Sequence, residues 1–149
     1  MAAAGLAPTA VKHGVQIIGA TYLAFGLLGF VPLDAINPLH HEGVGARYLL
    51  HFLAVNPVHN LVHLAIGISG FWAARYLETA QRWGKVVGAT LLLLFVVGIG
   101  FGWAAGFPPD HSLLGLVSIN SAGHVFHLAT GVVALVLGFS HPRRANRSG

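Results

Sequence analysis

Polar and apolar positions divide the 149 residues into four long apolar intervals: no Asp, Glu, Lys or Arg occurs in residues 13–33, 48–74, 86–109 or 111–142. Each interval has room for the roughly 20 residues that a helix needs to cross the hydrocarbon of a bilayer. The pattern predicts spans at about 14–32, 56–76, 86–106 and 120–140. Helices are expected because lipid leaves every backbone N–H and C=O to be satisfied within the segment, and four alternating strands cannot close a barrel. The Ala-rich N-terminal residues precede the first apolar stretch and no cleavage pattern follows Val31-Pro32, so this stretch reads as a span and not as a signal peptide.

Composition agrees with that reading. The chain is 55% hydrophobic and 8% charged, whereas soluble domains carry about a quarter charged residues. The expectation is one integral membrane domain over residues 1–149, an all-α four-transmembrane-helix bundle.

The basic residues set its orientation. Lys12, then Arg75, Arg82 and Lys85, then Arg143, Arg144 and Arg147 fall on one side of the four spans, and Arg47 on the other. By the positive-inside rule both termini are cytoplasmic, with residues 141–149 a basic tail. The net charge of +4 is then accounted for by juxtamembrane contacts with anionic lipid and calls for no nucleic-acid partner. Trp72, Tyr76 and Trp83 suit the inner interface, Tyr48 and Trp103 the outer one. With no cysteine, disulfides, thiolate catalysis and iron–sulfur clusters are excluded.

An internal repeat runs through the chain. Gly19-Ala20-Thr21 with Leu23 and Gly29 recurs 69 residues later as Gly88-Ala89-Thr90 with Leu92 and Gly98. Leu49-Leu50, Val55-Asn56, His63-Leu64-Ala65 and Gly67 recur 64 residues later as Leu113-Leu114, Ile119-Asn120, His127-Leu128-Ala129 and Gly131. The protein therefore reads as two tandem helix hairpins, about 14–76 and 86–140. Each spans twice, so the copies are parallel, unlike the inverted repeats of transporters.

The repeat isolates one polar stripe. Asn56 and Asn120 begin equivalent spans, where an Asn side chain accepts an orphan helix N–H, and Pro57 fits the first helical position. Asn56, Asn60, His63 and Gly67, like Asn120, His124, His127 and Gly131, are spaced i, i+4, i+7, i+11 and share a helix face. His59 borders it. His63 and His127 are expected to face each other roughly 10 Å inside the outer helix ends.

Polar groups at membrane depth face the bundle interior, and two readings of the stripe follow. In the first, Asn and His side chains hydrogen-bond across the two hairpins while Gly67 and Gly131 let the helices approach. The protein is then a small non-enzymatic membrane protein, free-standing or an accessory subunit. In the second, the neutral imidazoles ligate a cofactor. His63 and His127 would be axial ligands of a haem or other tetrapyrrole, or His59, His63, His124 and His127 would bind a transition metal. His40, His41, His51 and His111 lie in or near the outer loops, where they suit metal entry or pH sensing, and Asp34, Glu42 and Asp110 could support ligands there; singly, His40, His41 and His111 read as solvated loop residues, and isolated loop acids usually bind nothing.

Catalytic patterns are missing. There is no G-x-S-x-G elbow, no H-E-x-x-H helix and no phosphate-binding glycine loop, and all four acids flank the spans. The predicted helices lack the adjacent-His boxes of membrane di-iron desaturases. Glycines such as Gly26, Gly29, Gly98, Gly100 and Gly102 read as helix-contact residues, and unidentified self-association or docking to a larger membrane complex is open to such a bundle.

The pattern L-L-x-x-x-A-V-N-P-x-H-N-L-V-H-L-x-x-G at 49–67, with its fainter copy N-x-x-x-x-x-x-H-L-x-x-G at 120–131, resembles a bacterial family of four-span membrane proteins, domain of unknown function 4383. The likeness runs from the first glycine-rich span through Gly138. The family pattern has Asp-Asn where this chain has Gly123-His124, so the resemblance implies no role for His124. It implies a four-helix inner-membrane protein and no particular substrate or cofactor.

Overall fold

In a computed structural model, residues 5–31, 45–104 and 116–141 are described, with the backbone alone for 101–104. Asp34, His40, His41, Glu42, Asp110, His111, Arg143, Arg144 and Arg147, and the side chain of Trp103, lie outside the described residues.

Four helices carry the fold: α1 (Pro8–Leu28), α2 (Pro57–Ala73), α3 (Leu77–Ala104) and α4 (Ser121–Phe139), with two short strands, β1 (Arg47–Leu49) and β2 (Leu53–Val55), between α1 and α2. Local chemistry sets the ends. Pro8 and Pro57 each stand in the first turn of their helices, where a missing N–H costs nothing. The Asn56 side chain accepts from the His59 N–H and that of Asn120 from the Gly123 N–H. At the other end of α2 only residues 74–76 separate it from α3, and the Thr79 hydroxyl bonds the Ala73 carbonyl at 2.5 Å, satisfying an acceptor the helix end leaves open.

Two boundaries differ from the sequence expectation. α1 begins at Pro8 instead of about residue 14, and α3 at Leu77 instead of about 86. In both cases the helix runs past the charged residues that bound the apolar interval (Lys12; Glu78, Arg82 and Lys85), which occupy helical turns with their heads free to reach water. Exposed Glu78 and Arg82 pair across one turn of α3.

Helix pairing is antiparallel. A Cβ placed on Gly19 meets the Gly67 carbonyl, one on Gly26 meets Leu64 and one on Gly29 meets Asn60, so partners in α2 fall as α1 advances. Gly84, Gly88 and Gly98 of α3 meet Ala134, Gly131 and His124 of α4 in the same falling order. The approach is too close for side chains: a Cβ at Gly67 would lie 2.7 Å from the Leu23 backbone nitrogen, and one at Gly88 would lie 2.8 Å from the Gly131 oxygen. α1 and α2 form one main pair and α3 and α4 the other. Between the pairs run Tyr22 to Thr130 and Trp83 to Ser69, while Gln81 donates to the Ser140 carbonyl within the α3–α4 pair.

The buried core lies at the end holding Lys12, Arg75 and Lys85, where Val11, Val15, Ile18, Ala73, Ala80, Trp83 and Leu137 pack together with Tyr22 and Leu91. A smaller cluster of Leu49, Leu53 and Val55 against Phe25 and Ala122 closes the opposite end. The outward faces stay apolar: Ile17, Ile68, Val96 and Val133 are each at least half exposed. Among the described residues two helices, α3 over Leu77–Gly100 and α4, are long and apolar enough to cross a membrane. This is a helical protein of membrane-like character.

Candidate functional site

The buried polar groups gather beneath the β hairpin, at the N-terminal ends of α2 and α4. Asn56, His59, Asn60, His63, Ser118, His124 and His127 are all buried. The caps that start the two helices also tie them together. Asn56 Nδ2 donates to the Leu116 carbonyl at 2.8 Å, and Asn120 Nδ2 donates to the Phe52 carbonyl at 2.7 Å. Each side-chain oxygen is used by its own helix, leaving the amide NH2 for the other segment.

One turn further in, three imidazoles meet. His59 and His63, four residues apart on α2, have ring centroids 4.3 Å apart; His127 on α4 lies 5.9 Å from His59 and 6.3 Å from His63. One ring nitrogen from each lies within 4.8 Å of the others. His124 falls outside this trio and packs against α3, where it fills the space a side chain at Gly98 would need. His51, at the tip of the β hairpin, is exposed. Gly67 and Gly131 take the close contacts of α2 with α1 and of α4 with α3.

Hydrogen bonding divides the three rings. His59 Nδ1 lies 2.6 Å from the Ser118 carbonyl oxygen; a carbonyl only accepts, so Nδ1 carries the proton and, in the neutral ring, Nε2 keeps its lone pair. Both nitrogens of His63, Nδ1 of His127 and Oδ1 of Asn60 are buried with no hydrogen-bond partner among the described residues. Each buried polar atom left without a partner costs about 1–3 kcal/mol, so the cluster is far from a saturated network.

Aromatic rings wall it in. Tyr22, fully buried, meets the His63 ring edge-on at 5.0 Å and leans on Phe126 at 5.5 Å. The Thr130 hydroxyl donates to the Phe126 carbonyl, so the Tyr22 hydroxyl, 2.9 Å away, donates to Thr130. Tyr22 was missed in the sequence, although it left a signal: where the first copy has Tyr22 the second has Leu91, and this break in the repeat marks a polar tip placed in an apolar span. Ser118 acts through its backbone carbonyl, which no side-chain pattern reveals.

The packing discriminates between the ligands considered for the stripe. His59 sits beside the line joining His63 and His127, where a flat macrocycle held between those two rings would have to pass. Three convergent nitrogens suit a single ion better than a tetrapyrrole.

A family model described as domain of unknown function (DUF4383) matches residues 12–140. No curated protein and no solved structure matches the chain.

Proposed function

The chain belongs to the DUF4383 family, and on that premise we propose that it is a small non-enzymatic integral membrane protein, free-standing or the accessory subunit of a membrane complex. It crosses the cytoplasmic membrane four times as two copies of one hairpin, with both termini in the cytoplasm. The reciprocal bonding of Asn56 and Asn120 carries this reading. Each side chain caps its own helix and reaches the carbonyl of the residue four positions before the other, as a two-fold relation between the hairpins requires. The matched contacts of Gly19 with Gly67 and of Gly88 with Gly131 support the same relation.

Charge supports the orientation. Lys12, Arg75, Arg82 and Lys85 fall at one end of the bundle and the histidine cluster at the other. The apolar outward faces of all four helices suit lipid. A non-enzymatic role is supported by the absence of any carboxylate from the apolar intervals, which leaves the buried site without an acid–base pair.

Because the chain has no cysteine, topology can be mapped with single substitutions. Thr9→Cys, Glu78→Cys and His51→Cys are made separately and treated with a membrane-impermeant maleimide. His51→Cys is expected to label in intact cells, the other two only after permeabilisation. Labelling of Thr9→Cys and His51→Cys from the same side would overturn the four-span reading.

A further inference from the structure

We propose that His59, His63 and His127 form a binding site for one late first-row transition-metal ion, copper or zinc, held by three neutral imidazoles. The site belongs to the bundle interior and holds whether the chain stands alone or joins a complex.

Geometry carries the assignment. Donor atoms within 4.8 Å of one another lie at most about 2.8 Å from a common centre, and imidazole nitrogens bind zinc at about 2.0–2.1 Å. Each ring has to move inward by less than about 1 Å, within the reach of small side-chain rotations. Two ligands four residues apart on one helix face with a third from a facing helix is a spacing that chelates without bending the backbone. The donors are also prepared. The Ser118 carbonyl fixes the proton of His59 on Nδ1 and so turns the Nε2 lone pair outward from that bond, the role a carbonyl plays behind a metal-bound histidine. His63 and His127 are both nine-tenths or more buried, and each has a nitrogen that no described residue engages. A bound ion takes one lone pair from each ring.

The charge of the site selects among ions. No carboxylate lies in the apolar intervals, so a bound ion keeps its whole charge, and desolvation grows with the square of that charge. Monovalent copper, which accepts three-coordinate nitrogen sites, is favoured over the divalent ions.

The test uses the full chain, purified in detergent and stripped of metal. It is titrated anaerobically with copper(I), and separately with zinc(II), in the presence of a competing chelator. The expected result is one ion per chain, copper(I) withstanding more chelator, with X-ray absorption showing imidazole scattering from three ligands. His63→Gln and His127→Gln should each weaken retention about tenfold or more, while His51→Gln and His141→Gln should leave it unchanged. In the unsubstituted protein labelled with ¹⁵N-histidine, the resonances of three rings of the ten should shift on loading; this reading does not depend on any variant folding. Failure of the unsubstituted chain to retain either ion, or equal retention when all three histidines are replaced by Gln, would overturn the site. Neither outcome bears on the topology tested by cysteine labelling.

Discussion

Asn56 and Asn120 hold each other's hairpins: the amide of Asn56 donates to Leu116 O and that of Asn120 to Phe52 O, while both side-chain oxygens cap the helices that follow. The two residues are therefore coupled through backbone positions that precede one another's helices. No bond between them is needed.

Replacing either Asn by Ala removes a cap, costing about 1 kcal/mol, and a cross-hairpin bond of about the same value. Each variant should be destabilised by about 2 kcal/mol in unfolding monitored by circular dichroism in mixed micelles. Asn56→Ser and Asn120→Ser should recover roughly half, since Ser caps but is too short to replace the amide donor. Equal losses for Ala and Ser would show that the inter-hairpin bond contributes nothing.

Close helix approach makes a second prediction. Gly88→Ala places a Cβ 2.8 Å from the Gly131 oxygen, and overpacking of this kind costs about 1–3 kcal/mol. Gly100→Ala, where a Cβ meets nothing within 4 Å, should leave stability unchanged or raise it slightly, because Ala is the better helix former. Thermal retention of monodisperse protein on size exclusion distinguishes the two.

The turn of the β hairpin explains part of what the sequence hid. Leu50 and His51 both have positive φ, 54° and 66°, and Phe52 N–H bonds back to Leu49 O. Turns that require positive φ at both central residues are usually written Asn-Gly. Leu-His carries no such signal, so the residues before α2 read as part of an apolar interval. The helix faces were legible because Asn, His and Gly recur at helical spacing on a background of Val, Leu and Ala, and the repeat gave each position a second witness. The trio of rings was only half legible. Helix periodicity puts His59 beside His63 but cannot show that His127 turns toward both, while His124, equally well placed in the pattern, turns to Gly98. Replacing Leu50-His51 by Asn-Gly should relieve about 1 kcal/mol or more of left-handed strain and raise the melting temperature. An unchanged or lower value would mean that the Leu50 and His51 side chains contribute more than their backbone costs.

His63 yields the prediction with the least expected sign. Were it polar glue between helices, truncating or replacing it would destabilise the protein, because a partner would be left unsatisfied. Yet both of its nitrogens are buried without a hydrogen-bond partner among the described residues, and its ring packs against those of Tyr22, His59 and His127. An apolar side chain of similar bulk keeps those contacts and removes two desolvated polar atoms. In metal-free protein His63→Leu is therefore expected to be neutral or stabilising by about 1–2 kcal/mol, measured by the same micelle unfolding. His59→Leu should instead destabilise by a similar amount, because it strips the Ser118 carbonyl of its donor. With copper(I) present the order reverses for His63, since the unsubstituted protein gains the binding energy of the ion and His63→Leu does not. A loss of stability in metal-free His63→Leu matching that of His59→Leu would assign His63 to the hydrogen-bonded scaffold.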